Sequence, residues 1–180
     1  IDAENLTGNS GTQIDDQLQQ LVFKDDGKIL YALGDDGILG KFNAPTPFDL
    51  DGLTYESRIS LGSTINSIAF NKEATKIYTL DGTSETPIVT TLELPAAHDL
   101  SSSTQIHQVN LNTLGIEDNT GADQPKDIEF SDDGFSMFIL IANATEVGVE
   151  FPYSYIYQFR LEKSFDVSTA TKVGRWNVEG

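Results

Sequence analysis

A nucleophile–base pair needs a histidine, or a buried carboxylate, in hydrogen-bond reach of a hydroxyl or thiol. This chain has no cysteine, and its only histidines are His98 and His107. Neither stands in a nucleophile motif, so no catalytic residue is assigned and the chain is expected not to be an enzyme. Two histidines without a thiolate also make a poor zinc set. Calcium asks for several oxygen ligands. Asp25-Asp26, Asp35-Asp36 and Asp132-Asp133 each precede a glycine, but Asp-Gly is first of all a hairpin-turn signal, and no EF-hand spacing is present. No metal ligands and no cofactor are therefore expected, with calcium the one ion worth testing. Recognition by aromatic side chains is the remaining chemistry. Phe151, Tyr153 and Tyr155 crowd one segment, and Trp176 is the single tryptophan; these four are the candidate binding residues.

The elements that must position them repeat. Phe23-Lys-Asp-Asp-Gly27-Lys-Ile-Leu-Tyr31-Ala-Leu33 lies over Phe70-Asn-Lys-Glu-Ala74-Thr-Lys-Ile-Tyr78-Thr-Leu80 and over Phe130-Ser-Asp-Asp-Gly134-Phe-Ser-Met-Phe138-Ile-Leu140. The period, 47 residues and then 60, is that of propeller blades and solenoid units. The register continues. Phe48-Asp49-Leu50 matches His98-Asp99-Leu100 and Phe165-Asp166-Val167, and Thr54, Thr104 and Thr171 each open a further strand-like run. From Phe to Asp the gap grows from 26 to 29 to 36 residues, so the insertions fall between strands, as surface loops tolerate.

Each unit reads as four short strands. Strand two carries Leu30, Tyr31 and Leu33, then Ile77, Tyr78 and Leu80, then Met137, Phe138 and Leu140. Neighbouring apolar residues put bulk on both faces, which fits a sheet stacked between similar sheets. The aligned Asp49, Asp99 and Asp166 read as Asx-type turns into strand four. His98 takes the slot of an aromatic and is expected to fill a packing position. His107 is expected to face the surface that Ser57 and Gly174 face in the sister units. Trp176 aligns with Ile59 and Val109 in an apolar column, which makes it a core or interface residue.

These residues resemble a known repeat. The third unit carries it most fully, in Asp127-Ile-Glu-Phe-Ser-Asp-Asp-Gly134 and Tyr157-Gln-Phe-Arg-Leu-Glu-Lys-Ser-Phe-Asp-Val-Ser-Thr-Ala-Thr171. It is similar to the β-propeller repeats of bacteriophage virion proteins and bacterial surface proteins, over roughly residues 18 to 178. The second unit departs most, with Ala74 for glycine and His98 for the aromatic. The resemblance implies an all-β fold of three four-stranded antiparallel propeller blades, at about 18–62, 65–112 and 125–178. A ring typically has ~4–8 blades. This one is expected to be completed by a second copy or by another part of a longer precursor. The function implied is a non-enzymatic structural or adhesive module of a bacteriophage particle, in assembly or host-surface contact. The alternatives are a secreted or surface-exposed bacterial propeller that binds glycan, and a calcium-dependent lactonase-like hydrolase. The expected location is the virion, or else the extracellular space or bacterial cell surface.

Composition sets outer bounds. The 180 residues are 38% hydrophobic, enough for one core. No run approaches a membrane span. A net charge of −17 argues against nucleic acid and against anionic lipid. The chain opens on Ile1, not Met, which suggests a processed product or an excised fragment. Residues 1–17 are polar and turn-rich and are expected to form an arm or linker ahead of a propeller segment at 18–180. Asn5-Leu-Thr7 and Asn143-Ala-Thr145 match the glycosylation sequon, which carries no weight in a bacterial or viral protein.

Overall fold

Twelve strands form three separate sheets of four. The structure, a computed structural model, describes residues 17–82, 87–116, 124–144 and 153–178, without the side chains at 124, 143, 144 and 153. The expected arm (Gln17 apart), the sequon at Asn5 and the tip that holds Phe151 lie outside the described residues. Blade one comprises β1 (Leu18–Lys24), β2 (Ile29–Gly34), β3 (Ile38–Asn43) and β4 (Thr54–Ser60). Blade two comprises β5 (Ile65–Phe70), β6 (Lys76–Asp81), β7 (Ile88–Glu93) and β8 (Thr104–Asn110). Blade three comprises β9 (Gln124–Phe130), β10 (Ser136–Ala144), β11 (Tyr153–Leu161) and β12 (Ala170–Asn177). Within each blade the strands pair antiparallel in chain order. Single turns of 3-10 helix at Asp25–Gly27, Leu111–Leu114 and Val167–Thr169 are the helical pieces among the described residues.

The second strand of each blade behaves as its sequence dictates. Every residue of β2 is buried, and Ile77 to Leu80 of β6 are buried too. Their two faces feed different cores. Tyr31 and Leu33 pack with Ile68, Phe70 and Ile77 between blades one and two. Tyr78 and Leu80 pack with Ile128, Phe130 and Met137 between blades two and three. Blade two is thus filled on both sides. The fourth strands, by contrast, are exposed or partly buried along their whole length, as outer edges are.

Turn chemistry repeats bond for bond. Phe48 N–H donates to the Gly27 carbonyl at 2.9 Å, His98 N–H to Ala74 at 2.9 Å and Phe165 N–H to Gly134 at 2.8 Å. All six of these residues have positive φ. The following aspartates close Asx turns, Asp49 onto Asp51 N–H at 2.9 Å, Asp99 onto Ser101 N–H at 2.9 Å and Asp166 onto Ser168 N–H at 3.1 Å. Asp133 caps Phe135 N–H at 3.0 Å and Asp36 caps Ile38 N–H at 2.9 Å. These acidic side chains are spent on their own turns.

The central strands of blade three are longer than those of its sisters: β10 and β11 run nine residues each, against six in β2, β3, β6 and β7. Their ladder extends at its far end, where Ile141 pairs with Tyr155 and Ala144 with Tyr153, and residues 145–152, which join them, lie outside the described residues.

Candidate functional site: an axial polar column and an open blade face

The innermost strands β1, β5 and β9 bring three polar residues of one repeat column together. Gln20, Ser67 and Asp127 each stand three residues before the aligned phenylalanine. Ser67 Oγ donates to Asp127 Oδ1 at 2.7 Å, and Gln20 Nε2 donates to the same oxygen at 3.3 Å. A β-bulge lies beside each of them, between Leu18 and Gln20, between Ile65 and Ser67, and opposite the Leu140/Ile141 step. Bulges re-aim side chains, and here they turn the column toward the neighbouring blade. Gln20 Oε1 accepts Ile68 N–H at 2.7 Å, and Ser67 Oγ accepts Ile128 N–H at 3.2 Å. Blades one and two thereby each satisfy an edge amide of the blade that follows. Asn66 Nδ2 adds a 2.8 Å bond to the Pro125 carbonyl.

Below this column lies a shallow hollow of about 250 Å³, lined in part by Lys24, Lys72, Glu129 and Asp132. Lys24 Nζ donates to the Asn71 carbonyl at 3.2 Å. Burial holds its pKa below the usual lysine value, against the pull of Glu129 and Glu73. Glu129 is open on one side and crowded by protein on the other. Desolvation holds its carboxyl above the usual range; Asp127 and Asp132 add to this, and Phe130 N–H and Lys24 oppose it. Among the described residues no three His, Asp or Glu side chains gather as a metal site would require.

The histidines do separate work. Tyr31 Oη and His98 Nδ1 are 3.0 Å apart across the first interface. In the second interface Tyr78 Oη donates to the Phe165 carbonyl at 2.6 Å, so the same tyrosine column reaches the same turn of the following blade. His107 lies opposite Thr91 in the ladder. The Thr91 hydroxyl and His107 Nε2 are both buried and bond neither to each other nor to any other described atom. Beside His98, Lys41 is buried and meets Glu56 Oε1 at 2.8 Å, while Asn43 Nδ2 holds Glu56 Oε2 at 2.6 Å. The Lys41 bond keeps the Glu56 carboxyl below the usual carboxylate range.

Of the four aromatic candidates, Phe151 and the Tyr153 side chain lie outside the described residues. Tyr155 is buried in the core between blades two and three, under the Arg175 guanidinium at 4.6 Å from its centroid. Its ring points inward because it shares a face with Ile141, its ladder partner. Trp176 is 51% exposed. It pairs with Ile156, Ile156 with Leu140, and Leu140 with Asp127. This row crosses blade three on the face turned away from blade two. It has two counterparts, Gln20–Leu33–Leu39–Ile59 and Ser67–Leu80–Val89–Val109. Leu33, Leu39, Leu80 and Val89 are fully buried by the following blade. On blade three, no described element covers the row. The polar column was not found in the sequence, although its spacing from the aligned phenylalanine marks it.

No protein-family model matches the chain, and no curated protein matches it in sequence. Solved structures similar to it include a functionally unknown protein of Desulfotomaculum acetoxidans, with a TM-score of 0.52 and 14% identity over 92% of this chain. Another is a "putative 6-phosphogluconolactonase" of Bacteroides uniformis, with a TM-score of 0.54 and 17% identity over 94% of this chain. This chain spans 44% of the length of each. The likeness is one of fold.

Proposed function

We propose that the chain is a non-enzymatic structural module that works through its surfaces, as part of a propeller completed across the open face of blade three. The observation that carries this reading is the row Leu140–Ile156–Trp176, whose counterparts are sealed at both internal interfaces while Leu140 and Ile156 are only partly buried and Trp176 is exposed. Monomers rarely expose contiguous apolar patches without a partner for them. The repeat's likeness to those of phage virion and bacterial surface proteins supports the finer reading. On it the module sits in a bacteriophage particle, at a tail, fibre or capsid-associated position, and serves assembly or host-surface contact. The acidic, cysteine-free composition fits a soluble surface module. The reading calls for no cofactor, no nucleic acid and no membrane insertion. Mass spectrometry of purified particles, with immunogold labelling against this chain, tests it. Detection at a fixed place on the particle supports it, and recovery from particle-free medium or cell surfaces overturns the virion assignment in favour of a glycan-binding surface propeller.

A second reading, a lactonase-like hydrolase, draws on the Bacteroides uniformis fold likeness and on Glu129, a carboxyl with a raised pKa beside Lys24 in the axial hollow. Lactone hydrolysis that is lost in Glu129→Gln would favour it over the structural reading.

A further inference from the structure

We propose that blade three carries a binding site for a neutral sugar residue, at the end where β10 begins and β11 stops, in a hollow lined by Phe135, Arg160, Leu161, Glu162 and Thr171. The site goes beyond the functional reading above and does not depend on it.

The hollow measures about 560 Å³, inside the ~300–1,000 Å³ of small-molecule sites. Paired strands hold its walls. Leu161 N–H donates to the Phe135 carbonyl at 2.9 Å. Arg160 pairs with Ser136 on one side and with Thr171 on the other. Glu162 N–H donates to Thr169 Oγ1 at 3.1 Å. Groups anchored on strands are placed more precisely than groups on loops.

The lining has the chemistry that a saccharide asks for. A pyranose ring has a face of C–H groups, which packs on an aromatic ring, and a rim of hydroxyls. Phe135 is 45% exposed and supplies the ring. The Arg160 guanidinium offers a fork of donors, the Glu162 carboxylate a pair of acceptors, and the Thr171 hydroxyl either role. No ion pair or side-chain hydrogen bond ties Arg160 or Glu162 to a described residue, so each keeps its capacity for a ligand. A neutral sugar uses donor and acceptor together. It also escapes the repulsion that a chain of net charge −17 exerts on an anion.

The sister units mark the site as particular to the third. In the places of Phe135, Arg160 and Glu162 the first unit has Lys28, Asn43 and Pro45, and the second has Thr75, Glu93 and Pro95. Only the third combines an aromatic ring, a guanidinium and a carboxylate. The sisters also show that the hollow stays accessible in a stack. Pro45, Thr54, Glu93 and Thr104 are exposed although the next blade covers the faces of their own. An occupant on the open face of blade three therefore leaves the hollow open.

Nuclear magnetic resonance of the isotope-labelled chain tests this. The probes are methyl glycosides of glucose, galactose, mannose and N-acetylglucosamine, each taken to about 50 mM, which suffices for a millimolar site. A glycan array widens the panel. The expected result is saturable amide shifts at Phe135, Leu161 and Thr171, with His98 and Leu100 of blade two unmoved. Phe135→Thr and Arg160→Glu install the residues that the second unit already carries there, and circular dichroism checks that the strands persist. Each should weaken binding about tenfold or more. Arg160→Gln replaces Arg160→Glu if that variant unfolds. Shifts centred elsewhere, binding unchanged in both variants, or a response confined to anionic glycans overturns the proposal. So does silence from every glycoside together with a blank array. The chain's place in a particle is measured separately, so the functional reading and the sugar site can each fail alone.

Discussion

His98 N–H donates to the Ala74 carbonyl at 2.9 Å, with both residues in the left-handed backbone region, φ 63 and φ 50. These are the two positions at which the second unit departs from its sisters, and the structure shows them to be one change. In the first unit a Cβ built on Gly27 would lie 2.5 Å from Phe48 Cδ2, and one on Gly134 would overlap the Phe165 ring. The phenyl ring lies over the glycine and forbids a methyl group. With the smaller imidazole in that place, an alanine fits and is fully buried.

Gly134→Ala is accordingly expected to cost about 2 kcal/mol or more, from φ strain plus overpacking. Phe165→His in the same chain should return part of that loss. A double-mutant cycle in urea measures the coupling. Independent, additive losses would show that the pairing of Ala74 with His98 is incidental.

His98 links one blade interface to pH. Burial, then Lys41 and Lys24, hold its pKa below the ordinary histidine value, against Asp25 and Glu56. The unfolded chain therefore takes up this proton first as pH falls. The neutral ring's contribution is complete above about pH 6.5 and fades as pH drops through the folded value. Protonation also leaves Nδ1, 3.0 Å from Tyr31 Oη, able only to donate. Stability measured from pH 8 to 5 should fall less steeply in His98→Phe than in the parent; equal slopes would remove the histidine from the account.

Lys41 is buried, and its partner Glu56 lies partly in solvent, with 43% of its side chain exposed. Glu56→Gln leaves the ammonium without its counter-charge and should cost about 1–2 kcal/mol after allowance for screening. Lys41→Met with Glu56→Gln should recover most of this. The lowered Glu56 pKa gives the same sign as His98 but an acid window: its stabilisation is present above the unfolded carboxylate value and is lost as pH falls through the folded one. Thermal melts of the single and double variants at pH 7 and pH 4 check both statements.

Ser67→Ala removes the acceptor for Ile128 N–H and the donor to Asp127 Oδ1. An unmet buried amide costs about 1–3 kcal/mol. Hydrogen exchange at Ile128 should speed up well beyond exchange at Ile139, its ladder partner. Uniform acceleration across blade three would mean global destabilisation instead.

The blades were legible because their signal is local and repeated. Paired apolar residues on the second strand announced two buried faces, and Asp after an aromatic announced a turn. The axial column escaped notice because Gln20, Ser67 and Asp127 share a place but not a residue type. The bulges beside them turn Gln20 and Ser67 onto the following blade and bring Asp127 to meet them, and bulges leave no periodic trace. Tyr155 stood as a binding candidate on its aromatic neighbours alone; its inward turn follows from its pairing with Ile141 in the ladder, which no motif marks.

Every ladder among the described residues joins strands that are adjacent in sequence, and none crosses from one sheet to another. Hairpins that close over short loops form within microseconds, whereas joining distant segments is slow. Each sheet can therefore zip up soon after its own residues leave the ribosome, and sheet docking is left as the late, slower event. A denaturant jump should resolve this as fast acquisition of strand signal followed by slower burial of Tyr31 and Tyr78. The same independence lets a whole unit be copied or deleted in a gene without unpicking the pairing of its neighbours.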